Sequence, residues 1–231
     1  MRAISEEIVH VNGHPKKIII FLHGYIDNCE GLNKRIVSLL NKMDDVAIHL
    51  PEAPVECEIY SGKRQWYSMH DFDPNDDRKT VPTLDECTEI YAKMSKGFDC
   101  SYRVLSEYIE NCLNEYQLDA KDVILCGFSQ GAMLALYTAL RYPEEIGGCV
   151  SFSGILATPD YFYKHNHRTP PFLLIHGDAD NLVRYGVLEY TKNHLEKLGT
   201  EVETYTVKDG LHAITEDGLH QAEAFIYKHT K

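Results

Sequence analysis

One serine of the chain stands in a setting that can turn a hydroxyl group into a nucleophile. Ser129 is the centre of Gly127-Phe128-Ser129-Gln130-Gly131, which fits the pattern G-x-S-x-G. The apolar run 123–126 before it predicts a buried strand, and the apolar residues after it recur with the period of a helix. Strand, tight turn and helix together predict a nucleophile elbow, which presents the hydroxyl above a sheet. The first N–H groups of that helix would point to the space where an oxyanion forms.

A serine needs a histidine to take its proton, and the histidines of the chain differ in where they stand relative to the predicted strands. His212 follows the last predicted strand, in a loop from which its ring can reach across to the elbow. His220 falls inside the final predicted helix, and His23 is more typical of a buried ring bonded to the backbone. We therefore predict His212 as the base. His165 and His167 lie in a loop without nearby acids, so we expect no metal site and no cofactor.

The histidine in turn needs a carboxylate that fixes its tautomer and stabilises the imidazolium. Asp178 and Asp180 both follow a predicted strand that ends near residue 175. Asp178 beside Gly177 could serve only to order the turn, and Asp180 lies ahead of the next helix. Position alone leaves the two aspartates open. Either choice gives the chain order Ser, Asp, His, which is the order of α/β-hydrolases.

Strands alternate with helical patterns along the whole chain, which predicts a mostly parallel sheet with helices on both faces. We expect a single α/β domain over residues 1–231, because no linker, repeat or low-complexity tract interrupts the pattern. Two short strands joined by Asn12-Gly13 predict a hairpin at one edge. Residues 55–92 form a long irregular insertion, which in a compact domain is commonly functional.

Composition limits the partners and the compartment. The formal net charge of −12 argues against binding to nucleic acid or to anionic membrane surfaces. Seven cysteines without a C-x-x-C pair predict free thiols and a reducing compartment. The first seven residues carry no apolar signal core, and no apolar run approaches the roughly 20 residues of a membrane span. We therefore expect a cytoplasmic protein without stable membrane insertion; the sequence does not predict its oligomeric state.

Five stretches of the chain together resemble the phospholipase/carboxylesterase family of α/β-hydrolases, which includes acyl-protein thioesterases. These are Leu22-His23-Gly24, Arg64-Gln65-Trp66-Tyr67, Gly127-Phe128-Ser129-Gln130-Gly131-Ala132, His176-Gly177-Asp178-Ala179-Asp180 and Gly210-Leu211-His212. The resemblance implies the α/β-hydrolase fold, Asp180 as the acid, and backbone N–H groups of Tyr25 and Gln130 as the oxyanion donors. The chain departs from the family at Asn181, where proline is common, and at Tyr25, where the family has a smaller side chain.

The combined expectation is a serine hydrolase that cleaves carboxylic esters of small to medium acyl chains through an acyl-enzyme intermediate, with thioesters as a further substrate class. Ser129, Asp180 and His212 form the expected triad, and no cofactor is needed. The alternatives are a lysophospholipase or an acyl-protein thioesterase with the same triad, or a non-catalytic binding protein of the same fold. The expected partners are small-molecule or lipid esters or an acylated protein. Because Trp66 is the largest apolar residue of the irregular insertion, we expect it to line the acyl site.

Overall fold

Continuous apolar runs of the sequence become the central strands of one sheet. In the computed structural model, which describes residues 4, 7–36, 39 and 43–229, a sheet of seven strands forms. These strands are β1 (Glu7–Asn12), β2 (Lys17–Leu22), β3 (Val46–Pro51), β6 (Val123–Phe128), β7 (Gly148–Phe152), β8 (Phe172–Gly177) and β9 (Val202–Val207). A two-stranded ribbon adds β4 (Val55–Glu56) and β5 (Arg64–Gln65).

The strand order is β1-β3-β2-β6-β7-β8-β9, and all neighbours are parallel except β1 and β3. The predicted hairpin between β1 and β2 is wrong, because β1 pairs with β3 instead. β2 is almost wholly buried and takes β3 and β6 as its two partners, so it has no free edge for β1. β1 carries the half-exposed Val9 and Val11 and therefore suits the outer edge.

Helices cover both faces of the sheet. They are α1 (Cys29–Arg35), α2 (Leu84–Tyr116), α3 (Gln130–Arg141), α4 (Pro159–Lys164), α5 (Val187–Lys197) and α6 (Glu216–His229). Alternate side chains of each central strand point to opposite faces, which divides the apolar core in two. One half packs under α2, α3 and α5, and the other under α1 and α6.

α2 begins earlier than the sequence pattern predicted. We expected an irregular stretch up to residue 92, but Thr83 caps the helix and exchanges hydrogen bonds with Glu86 in a capping box. The first turns of α2 are rich in acids and partly exposed, which hid their helical period. The irregular segment therefore ends at Thr83, and residues 55–83 are called the cavity segment below.

The described residues include every cysteine of the chain but not Leu40. Leu40, which the sequence pattern placed on the face of a longer helix after Leu32, lies outside the described residues, as do residues 1–3, 5 and 6. All seven cysteines fall within the described ranges, and each is a free thiol. Among the described helices, none is long and apolar enough to cross a membrane.

Candidate active site

The elbow holds Ser129 in a backbone conformation that most residues avoid. Ser129 has φ 53° and ψ −116°, between the end of β6 and the start of α3. Such strain costs about 1–3 kcal/mol and persists only where the surroundings impose it. Here the Ser129 N–H donates to Phe152 O over 2.9 Å, which ties the turn to β7. A Cβ on Gly131 would lie 2.4 Å from Leu22 O, so only glycine lets the elbow pack against β2.

His212 and Asp180 are in direct contact. His212 Nδ1 lies 2.7 Å from Asp180 Oδ2, and Asp180 Oδ1 accepts the N–H groups of Leu182 and Val183, each at 2.9 Å. Burial alone would raise the pKa of this carboxyl, but hydrogen bonds from His176 and His212 hold it well below its usual range. Asp180 is therefore a fixed anion, and the ring of His212 is oriented by it.

The structure also distinguishes the competing residues. Asp178 is exposed, and its N–H donates to Val207 O over 3.1 Å, so it orders the turn, whereas the carboxylate at His212 Nδ1 is that of Asp180. His220 is exposed on α6. The rings of His165 and His167 bond to backbone carbonyls of Tyr161 and Leu198, at 2.7 and 3.1 Å.

His176 is a member of the site that the sequence reasoning missed. Its Nε2 lies 2.8 Å from Val183 O and 3.3 Å from Asp180 Oδ2, so it contacts the same carboxylate oxygen as His212. The available signal was its position as the first residue of the His176-Gly177-Asp178-Ala179-Asp180 stretch, directly at the end of β8. A histidine within an apolar strand does not by itself indicate which side chain its ring contacts.

The turn after β2 packs against the elbow. His23 is fully buried, with Nδ1 at 2.8 Å from Gly24 O and Nε2 at 3.0 Å from the Ala53 N–H. Nε2 therefore accepts, Nδ1 donates, and the ring is neutral. Burial is the main cause that lowers the pKa of His23 to about 4. Tyr25, two residues after His23, lines the same cavity as Ser129.

Gln130 joins the elbow to the cavity segment. Its backbone N–H is one of the first in α3, which have no acceptor within the helix. Its buried side chain accepts from the Trp66 N–H over 2.9 Å and donates to Tyr67 O over 2.8 Å. One residue thus offers an N–H beside Ser129 and fixes the neighbouring segment at two points.

Trp66 is not placed where the sequence analysis expected it. Its side chain is 1% exposed, it is absent from the cavity lining, and its indole N–H donates to His23 O over 2.9 Å. Trp66 therefore lies beneath the turn after β2 as a core side chain, which contradicts a direct contact with an acyl chain. The large apolar surface that suggested substrate binding is used to support the backbone around the site.

Ser129 and His212 open into one cavity of about 460 Å³. Half of its lining comes from the cavity segment, which therefore lies beside Ser129. The contributing residues are Ile59, Tyr60, Met69, His70, Asp73, Pro74, Asp76, Arg78 and Lys79. Tyr25, Ile26, Tyr91, Phe128, Met133, Leu182 and Val183 complete the wall. The ring of Phe128 packs 4.8 Å from that of His212, which helps to hold the histidine at the cavity.

Within the described residues, one set of side chains lies close enough to share a metal ion: Glu201, Glu203 and His229. Lys228 Nζ already contacts both carboxylates, at 2.9 and 2.7 Å. None of these residues lines the cavity that holds Ser129.

Ser129 is a strained serine between a strand and a helix, and an aspartate and a histidine follow it along the chain, each after a later strand. This arrangement is typical of the α/β-hydrolase class. The chain belongs to the phospholipase/carboxylesterase family, whose model matches residues 4–230. It is a carboxylesterase-type hydrolase.

Relatives of known name agree with this family. The chain is 26% identical over 216 residues to acyl-protein thioesterase 1 homolog 1 of Dictyostelium discoideum, covering 91% of this chain and 89% of that protein. It is 28% identical over 228 residues to acyl-protein thioesterase 1 of Saccharomyces cerevisiae, covering 92% of each. Among solved structures, esterase PE8 superposes with a TM-score of 0.83 at 27% identity, covering 99% of each chain.

Proposed function

We propose that Ser129 is the nucleophile, His212 the general base and Asp180 the acid that orients it. Ser129 Oγ attacks the ester carbonyl while its proton passes to His212, and the oxyanion is held by the N–H groups of Tyr25 and Gln130. The leaving alcohol takes the proton from His212. Water then attacks the acyl-enzyme with His212 as base again, which releases the acid and restores Ser129.

One observation carries the proposal: the 2.7 Å contact of His212 Nδ1 with the buried Asp180, at the same cavity into which strained Ser129 opens. Nδ1 is thereby occupied as a donor, so Nε2 of the neutral ring is left as the basic nitrogen. A non-catalytic binding protein would have no need of an ionised carboxylate at this histidine.

The substrate class proposed is a carboxylic ester of small to medium acyl length, because the cavity is of moderate size. Thioesters of acylated proteins are the second candidate, and the relatives named acyl-protein thioesterase favour it. The cavity mouth also favours it: Ile59, Tyr60 and Leu182 are 51%, 54% and 42% exposed there. Exposed apolar side chains around a site are typical of a surface that receives a larger partner.

The seven free thiols support a reducing compartment, and we propose the cytoplasm as the location.

A fluorophosphonate probe tests the nucleophile. We expect one probe to attach per chain, at Ser129, and Ser129→Ala to lose both labelling and ester hydrolysis while keeping its far-ultraviolet circular dichroism. Labelling that persists in Ser129→Ala would overturn the assignment. Methyl and thioester substrates of increasing acyl length, assayed on the same preparation, then separate the two substrate classes.

A further inference from the structure

The wall of the cavity that holds Ser129 contains charged side chains. Arg78, Asp73, Asp76 and Lys79 all line it, and the first two are only 6% and 4% exposed. A charge in such a place costs several kcal/mol unless it is paired. An acyl chain without polar groups gains nothing from a guanidinium group in the wall. The guanidinium group of Arg78 is instead suited to an anionic partner.

Asp73 is the permanent partner of Arg78. Its Oδ1 accepts the Asp77 N–H over 2.7 Å, and its Oδ2 accepts from Arg78 Nη1 over 2.6 Å. Although burial alone would lower the pKa of Arg78, the neighbouring Tyr91, Asp73 and Asp76 raise it, so the guanidinium stays charged. Asp73 therefore fixes the position of a cation at the cavity wall.

Asp76 is a partner of a different kind. Its side chain is 53% exposed, with Oδ1 at 2.6 Å from Arg78 Nη1 and Oδ2 at 2.7 Å from Lys79 Nζ. Its backbone has φ 57°, in the left-handed region that aspartate and asparagine adopt more readily than most residues with a side chain. The Asp76–Lys79 pair is partly exposed on both sides, and such pairs contribute about 0–1 kcal/mol. Arg78 is buried but keeps Asp73 as its partner when Asp76 moves away, so another carboxylate can replace Asp76.

We propose that Arg78 and Lys79 form a subsite for an anionic group of the ester substrate, and that Asp76 occupies this subsite when substrate is absent. The substrate class is an ester that also carries a carboxylate on its acyl chain or a phosphate on its alcohol. Such a group exchanges with the Asp76 carboxylate, while Asp73 keeps the guanidinium in place. The net charge of −12 does not oppose this at short range, because exposed charges beyond about 8–10 Å are screened.

This inference rests on the proposed role of Ser129, since the subsite acts by orienting an ester toward that hydroxyl. A carboxylate held by Arg78 and Lys79 at the cavity wall would restrict the ester to one orientation, which raises the rate of attack.

Matched ester pairs test the subsite. Monomethyl glutarate, adipate and suberate are compared with methyl pentanoate, hexanoate and octanoate, which carry a methyl group in place of the carboxylate. Butyryl-glycerol phosphate is compared with butyryl-glycerol for a charge on the alcohol side. For each pair the ratio of kcat/KM, charged over neutral, is measured by following acid release at constant pH.

We expect this ratio to exceed one for at least one chain length or for the alcohol pair, and the pair that responds identifies the half of the substrate that carries the charge. Asp76→Asn, which removes the competing carboxylate and tolerates the left-handed backbone, should raise the ratio about threefold to fivefold. Lys79→Gln should lower it by a similar factor. Lys93→Gln removes the same charge from an exposed position on α2 outside the cavity and should leave both members of each pair unchanged.

Ratios below one for every pair, with no response to Asp76→Asn or Lys79→Gln, would overturn the subsite. That result is distinct from failure of the proposed function. If neutral esters are still hydrolysed through Ser129, only the subsite is wrong, whereas hydrolysis that survives Ser129→Ala removes the nucleophile itself. Arg78→Lys is a further variant. If Arg78→Lys fails to fold, Asp76→Asn and Lys79→Gln still test the subsite.

Discussion

The elbow and the cavity segment meet at Ser129 but are built in opposite ways. In the elbow, all of β6 is buried, and so is every residue of α3 before its last. The cavity segment contains only two-residue strands and a three-residue 3-10 helix, and many of its side chains are exposed. The position of Ser129 is thus fixed by the core, whereas half of the cavity wall belongs to a partly exposed segment outside the main sheet.

Substitutions at His212 and Asp180, which contact each other beside the elbow, are expected to have the largest effects. His212→Ala should lower kcat by about 10⁶ and Asp180→Asn by about 10⁴, because each change removes the base or its correct tautomer. Asp178→Asn is the matched control, since that side chain is exposed in the same turn, and it should change kcat by less than about threefold. Steady-state kinetics on a methyl ester, with melting temperatures for folding, gives the comparison. Equal losses for Asp178→Asn and Asp180→Asn would contradict the assignment of the acid.

The second largest effect is expected in the pH dependence of the free energy of unfolding, to which the buried His23 contributes. The pKa of His23 is about 4 in the folded protein, against about 6.5 in an unfolded chain, so the unfolded chain takes up the proton first as the pH falls. The corresponding stability is present above pH 6.5 and is lost as the pH falls from about 6.5 to about 4, in total about 3 kcal/mol.

Urea unfolding at a series of pH values measures this loss. His23→Gln should reduce the slope of the free energy of unfolding between pH 6.5 and 4. His70→Gln, an exposed histidine in the cavity segment, should keep the wild-type slope. If His23→Gln retains the wild-type slope, His23 is not the group responsible.

The smallest effects are expected for substitutions within the cavity segment, where buried Trp66 and exposed Tyr60 should respond differently. Trp66→Phe removes the donor to His23 O and should cost about 1–3 kcal/mol of stability. Tyr60→Ala, at a side chain 54% exposed on the cavity mouth, should change stability by about 0.5 kcal/mol or less. Its expected effect is instead a rise of about threefold in KM for longer methyl esters, from lost apolar contact. Thermal unfolding and KM values decide whether the two residues differ in this way.

The sequence was most informative where chemistry or burial restricts the residue types strongly. Runs such as Ile18–Leu22 and Val123–Cys126 are apolar on both faces, so their strands could be predicted closely. The family resemblance selected Asp180, and the structure places its Oδ2 2.7 Å from His212 Nδ1. The partner of β1 could not be predicted, because pairing depends on which strand edges the rest of the sheet leaves open.

The cavity segment was harder to predict for a physical reason. An apolar side chain such as Trp66 must be buried, but the sequence does not say whether a ligand or the core covers it. Arg78 lies in a run of aspartates and lysine that is typical of a solvated surface. Its burial arises from neighbours distant in the chain, such as Tyr91 on α2, and no local period reports such neighbours.

The double role of Gln130 sets a rule for exchanging parts between related enzymes. A replacement for the cavity segment would have to present one backbone N–H and the carbonyl of the next residue to the Gln130 amide, as Trp66 and Tyr67 do now. A graft that kept this two-point match could vary freely in length and composition elsewhere. A graft that missed it would leave a buried amide without partners directly behind the nucleophile, and would disturb the rate as well as the specificity.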